Sequence, residues 1–187
     1  MYSPRVAAAG CTFTSESSSE LLRRVARILA FVIFTGTGAQ LAVRLPFTPV
    51  PVTMQTLFVV LAGVTLGSRD GFFAMVSYLA LGVSGIPVFA GFSFGPALIF
   101  GPTGGYLIAF PAAALLSGWI YERSNGNRPA VVGAALCGSA LILLSGTLHL
   151  SLISGLSLGQ TVPIAITPFV AGEVLKAFLA AGAAGSR

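Results

Sequence analysis

Two stretches of this 187-residue chain contain no Asp, Glu, Lys or Arg: the residues between Asp70 and Glu122, and those between Arg128 and Glu173. A water-facing surface cannot be built from them. A membrane helix needs about 20 mainly apolar residues, and Gly, Pro and turn-forming clusters divide the chain into pieces of about that length. The pattern predicts six spans, from Val25 to Ala42, Thr53 to Gly67, Gly71 to Ile86, Gly104 to Tyr121, Ala130 to Ile153 and Val162 to Ala184. The second and third are short for a full crossing. The expected fold is an all-α membrane protein of six transmembrane helices in one domain, residues 23–187, preceded by a disordered polar tail, residues 1–22. Membrane helices tolerate Gly and Pro where neighbouring helices satisfy the freed backbone groups.

Composition agrees with the pattern. Hydrophobic residues make up 55% and charged residues 8%, with a mean hydropathy of +0.92, whereas a soluble domain carries roughly a quarter charged residues. Lys and Arg accumulate on the cytoplasmic side of membrane proteins. With six spans and a cytoplasmic N-terminus, Arg5, Arg23, Arg24, Arg27, Arg69, Arg123, Arg128 and Arg187 fall inside, and only Arg44 falls outside. Both termini are therefore expected in the cytoplasm. The net charge of +5 reads as a topology signal toward the lipid bilayer rather than as nucleic-acid binding. Cys11 and Cys137 have no metal-ligand or redox spacing.

An ionisable side chain inside hydrocarbon costs at least about 2.5 to 3.5 kcal/mol on insertion scales and is by default a functional candidate. Glu173 and Lys176 qualify. Three residues apart in the sixth span, they share a helical face, where they either neutralise one another or line a cavity and hydrogen-bond a polar or anionic ligand. Pro163 and Pro168 delay the regular helix until about Pro168, which sets the pair one to two turns below the outer mouth. The segment from Pro87 to Gly104 is uncharged and carries Phe89, Phe92 and Phe94 on a Gly-rich backbone. It suits an apolar lid over a ligand, or a loop resting on lipid headgroups. Thr103 and Tyr106 add hydroxyls at the start of the fourth span. The loop stiffened by Pro46, Pro49 and Pro51 leads to Thr53 and Gln55, with Thr53 also a candidate helix cap.

Enzymatic chemistry has little support. No nucleophile-elbow pattern and no phosphate loop occurs, so ATP-driven transport would need another subunit to hydrolyse the ATP. His149, the sole histidine, lacks partners for a metal site and suits a hydrogen-bonded structural role. No cofactor or metal is expected. In the first span Ala26 and Ala30 place small residues four apart on one face, a spacing that lets another membrane helix approach.

Four segments together carry a resemblance: Pro46-Phe-Thr-Pro-Val-Pro-Val-Thr-Met-Gln-Thr, Gly85-Ile-Pro-Val-Phe-Ala-Gly, Gly101-Pro-Thr-Gly-Gly-Tyr and Pro168-Phe-Val-Ala-Gly-Glu-Val-Leu-Lys. In this order the chain resembles the BioY family, the biotin-specific S component of energy-coupling factor (ECF) transporters, from about Leu29 to Leu179. The resemblance implies a six-helix subunit that captures biotin outside and passes it inward with a coupling module, a transmembrane T component and two ABC-type ATPases. It implies substrate contacts from Glu173 and Lys176, where the family more usually has Asp in place of Glu173, and further contacts from Thr103 and Tyr106. Gln55, at the outer start of the second span, and Phe89, in the apolar loop, are expected from their positions to face the same ligand. It also implies that Ala26 and Ala30 face the coupling module. The alternative function is a self-sufficient, gradient-driven carrier of biotin or a related vitamin.

Overall fold

Where no water reaches the backbone, its N–H and C=O groups pair most readily within a helix, and helices account for most of this structure. The computed structural model describes residues 18–124 and 127–183. The helices are α1 (Ser18–Gln40), α2 (Gln55–Leu66), α3 (Ser68–Val83), α4 (Ala97–Phe100), α5 (Gly104–Arg123), α6 (Arg128–Ser154), α7 (Leu158–Ala165) and α8 (Thr167–Ala183). An antiparallel ribbon of β1 (Ala42–Val43) and β2 (Val52–Thr53) closes the loop between α1 and α2.

Several boundaries differ from those read in the sequence. α1 begins at Ser18, ahead of the 22/23 boundary, and the rest of the expected tail, with Arg5 and Cys11, lies outside the described residues together with Arg187. The segment before Pro168 is helical rather than irregular: α7 carries Pro163 within it, and α8 follows after a bend of 46° at Ile166. Pro168 does sit in the first turn of α8, where its missing N–H leaves no intrahelical bond unmade. α5 and α6 are each long and apolar enough to cross a membrane, as is the bent pair α7–α8 taken together. With 12 and 16 residues, α2 and α3 rise only about 18 and 24 Å against a hydrocarbon core of about 30 Å.

α5 packs against α2, α3, α4 and α6. It can do so because small residues line its contact faces: Ala113, Ala114, Ser117 and Gly118 are all buried. At the crossing with α2 and α3 only glycine fits, since a Cβ on Gly63 would fall on the Ala114 carbonyl and one on Gly118 would fall on the Ser68 backbone. Large apolar side chains lie outside instead, among them Leu29, Ile33 and Phe34 of α1, Leu144, Leu148 and Leu152 of α6, and Leu175 and Phe178 of α8. Such a perimeter suits hydrocarbon as its solvent.

Charge gathers at one end of the bundle. Arg24 of α1 meets Asp70 of α3, with Nε donating to Oδ2 at 2.9 Å and Nη2 to Oδ1 at 2.6 Å. Glu122, at the end of α5, accepts from the Ser68 N–H at 2.7 Å and the Ser68 hydroxyl at 3.0 Å, which satisfies an orphan donor at the start of α3. Arg123 lies over the Trp119 ring, 4.3 Å from its centroid. Because the Arg24–Asp70 pair is only half-buried, water screens it to about 1 kcal/mol. Asp70→Asn should therefore lower the thermal unfolding midpoint in detergent by roughly 2–4 °C; an unchanged midpoint would show that this fork adds nothing to the α1–α3 contact.

Candidate ligand-binding site

Away from the charged belt, the ends of several helices surround a cavity of about 410 Å³, within the range of roughly 300–1,000 Å³ usual for small-molecule sites. The six residues singled out from sequence, Gln55, Phe89, Thr103, Tyr106, Glu173 and Lys176, all line it. The helix starts explain why such distant residues converge. α2 begins at Gln55 and α5 at Gly104, just after Thr103, while the first turn of α8 at Pro168 leaves Glu173 and Lys176 facing the same space.

The acidic and basic side chains form one hydrogen-bonded unit. Lys176 Nζ donates to Glu173 Oε1 at 2.7 Å, to Thr56 Oγ1 at 2.8 Å and to the Thr53 carbonyl at 2.6 Å. Its three donors are all engaged. Glu173 Oε1 also accepts from the Thr56 hydroxyl at 2.8 Å, and Oε2 accepts from Ser139 at 2.6 Å. Both residues are over nine-tenths buried, at 4% and 6% exposure, so the pair persists in a dry site only because hydroxyls and a carbonyl replace its water. Thr56 lies in the first turn of α2, whose N-terminal partial charge further favours the carboxylate. The two sequence readings thus coexist: the pair is mutually neutralised and it faces a cavity, with one lone pair of Oε2 still able to accept.

A second polar chain joins the cavity to the loop above it. Gln55 Nε2 donates to the Tyr78 hydroxyl at 2.6 Å, and Tyr78 donates onward to the Val88 carbonyl at 3.0 Å. Gln40, at the end of α1, brackets the same loop: its Nε2 donates to the Phe89 carbonyl at 3.1 Å and its Oε1 accepts from the Phe92 N–H at 3.0 Å. That second bond holds Phe92 at φ 56°, a left-handed conformation rare outside glycine. Of the three phenylalanines expected to form an apolar lid, only Phe89 turns inward. It is 2% exposed and packs edge-on to Tyr78 with ring centroids 5.6 Å apart, whereas Phe92 and Phe94 are 69% and 57% exposed.

The remaining candidates are placed as follows. Tyr106 contributes its ring to the cavity, but its hydroxyl donates to the Ala165 carbonyl at 3.0 Å, an orphan acceptor created where α7 breaks. Thr103 caps nothing with its side chain. Thr53 belongs to β2 and Met54 holds the N-cap position, yet the Thr53 hydroxyl accepts from the Gln55 N–H at 3.4 Å, the first orphan donor of α2. His149 Nε2 donates to the Gly101 carbonyl at 3.1 Å and so pins the turn before α5. Ala26 is exposed and Ala30 half-buried on α1. Sequence reasoning missed Thr56, Ser139 and Tyr78. Thr56 closes the Thr-Met-Gln-Thr run and was within reach of that motif; Ser139 and Tyr78 carried no signal among the many hydroxyls of the spans.

Comparison with known proteins bears on the family and the fold. A family model described as the BioY family matches residues 11–186. The chain is 39% identical over 155 residues to a probable biotin transporter BioY of Pyrococcus horikoshii, covering 83% of this chain and 90% of the relative. It is 40% identical over 136 residues to the biotin transporter BioY2 of Lactococcus lactis, covering 72% and 74%. The crystal structure of the S-component for biotin from an ECF-type ABC transporter superposes with a TM-score of 0.82 at 24% identity, covering 90% of this chain and 92% of that one. At that identity the superposition speaks for the fold.

Proposed function

Because the chain belongs to the BioY family, we propose that its cavity captures biotin and that the protein is the S component of an ECF-type transporter in the cell membrane. The observation that carries this reading is the buried Glu173–Lys176 unit at the wall of an otherwise mostly apolar cavity. Biotin is a neutral ureido-fused bicycle with a thioether and a valerate chain. Its rings need apolar walls such as Phe89, Phe110 and Phe169 supply, and its ureido group, with two N–H donors and one carbonyl oxygen, needs acceptors and a donor in fixed positions. Glu173 Oε2 accepts a ureido N–H. Lys176 gives its donor to the ureido oxygen by exchanging Thr56 or Thr53 for it, and Thr103 and Gln55 offer further polar contacts.

In the membrane the helices make six crossings, with α7 and α8 as one bent crossing and both termini cytoplasmic. Gathering of Arg23, Arg24, Arg27, Arg69, Arg123 and Arg128 toward one end favours that orientation. The cavity then opens outward and the charged belt faces the cytoplasm. Ala26 and Ala30, on the outward face of α1, offer a small-residue surface to the T component, and partner ATPases supply the energy.

The test is purification of the chain in detergent, mass spectrometry for co-purified vitamin, and titration with biotin. Saturable one-to-one binding is expected. Absence of both co-purified and titratable biotin would sink the proposal. Reconstitution of the single chain into liposomes separates the alternative, since uphill uptake without ATPases would mark a self-sufficient carrier.

A further inference from the structure

We infer that Arg44 receives the ligand carboxylate at the mouth of the cavity, and so sets which way round biotin enters. The inference rests on the biotin reading above and adds a residue whose position in the sequence marked it only as an exception to the charge pattern. Biotin has two polar ends, and the cavity has two cationic groups, Lys176 and Arg44. They are not equivalent. Lys176 is committed to Glu173 at 2.7 Å, so a carboxylate brought to that wall would lie against the Glu173 carboxylate in a poorly solvated site, where two anions strongly disfavour one another. A neutral ureido group meets no such penalty.

Arg44 has the complementary properties. It lines the cavity yet is exposed, which places it at the rim. Among the described residues it has no hydrogen-bond or ion-pair partner, whereas Arg24 is held by Asp70 and Lys176 by Glu173. Its Nη2 lies 2.9 Å from where a Cβ on Gly91 would stand, so the guanidinium rests on bare loop backbone, and Gly91 at φ 68° is itself a residue that resists a side chain. Arg44 therefore spans from the first loop to the third across the cavity mouth. Its planar fork matches a carboxylate with two parallel N–H···O bonds. Of the other described acidic residues, Asp70 and Glu122 are engaged at the far end with Arg24 and Ser68, and Glu20 lies in the first turn of α1, at the opposite end of that helix from the first loop.

The experiment compares biotin with biotin methyl ester, which keeps the rings and chain and removes the charge, on full-length protein in detergent at low salt. Wild-type protein should prefer the acid by about 20-fold, the scale of a charge-assisted hydrogen-bond pair, and the preference should shrink as salt is raised. Arg44→Gln should weaken biotin by about that factor, leave the ester unchanged and abolish the preference, while Arg44→Lys should restore part of it. Ester affinity doubles as the check that the variant is folded. A preference for acid that survives in Arg44→Gln, or an equal loss for both ligands, overturns the assignment while leaving biotin capture standing. Wild-type protein that binds neither ligand removes the biotin reading and this inference with it.

Discussion

Lys176→Ala is expected to weaken biotin binding at least 100-fold while the protein still inserts into the membrane. Removing the ammonium leaves Glu173 buried with only the hydroxyls of Thr56 and Ser139 as donors, and strips the Thr53 carbonyl of the donor that anchors the first loop to α8. Breaking a buried ion pair from one side costs about 3–5 kcal/mol, mostly through the charge left behind. A site that spends this in the free protein no longer presents an acceptor and a donor to a ureido group. Lys176→Ala combined with Glu173→Gln separates the two contributions. The double variant removes the stranded charge, so its thermal midpoint should return toward wild type while biotin binding stays lost. Wild-type affinity in Lys176→Ala would show that the pair is only self-neutralising, and full recovery of affinity in the double variant would place its role in stability alone.

The sequence carried the ends of α5 and α6 to within a few residues because hydropathy and charge punctuate them directly: Gly104 and Arg123, Arg128 and Ser154 sit where uncharged runs meet turns or arginines. The Glu173–Lys176 unit was visible for the same reason, as two ionisable groups in an apolar run. What remained hidden was decided by contacts between distant segments. Ser139 looks like any other small residue of α6 until α8 places Glu173 at 2.6 Å from it. The ribbon of β1 and β2 is only two residues per strand, too short to show an alternating pattern. Phe89, Phe92 and Phe94 are equivalent by composition, and only the space over Gly82 and beside Tyr78 decides which one turns inward. Arg44 registered as a lone basic residue outside, since what surrounds its guanidinium depends on where the third loop folds back.

The seat of Phe89 leads to the second large effect. Gly82→Val should evict Phe89 and open the cavity, weakening biotin binding about 100-fold, chiefly through faster release. A Cβ on Gly82 would fall within the Phe89 ring, so no rotamer adjustment at position 82 relieves the overlap. Overpacking of this kind costs about 1–3 kcal/mol where side chains can shift, and here the ring must leave a site in which it is 2% exposed. Its departure pulls on the Phe89 carbonyl held by Gln40 and on the neighbouring Val88 carbonyl held by Tyr78, so the loop loses its two brackets together with its plug. Stopped-flow displacement of bound biotin reads the release rate directly. Phe89→Ala supplies the contrast: it removes the plug but leaves the backbone brackets in place, and its loss of affinity should be smaller. In Gly82→Val/Phe89→Ala the valine occupies the space the ring gives up and the loop can settle again, so affinity should recover to the level of Phe89→Ala, a coupling of the two sites that a double-mutant cycle measures. Release from Gly82→Val at the wild-type rate would mean that Phe89 packs the bundle without closing the site.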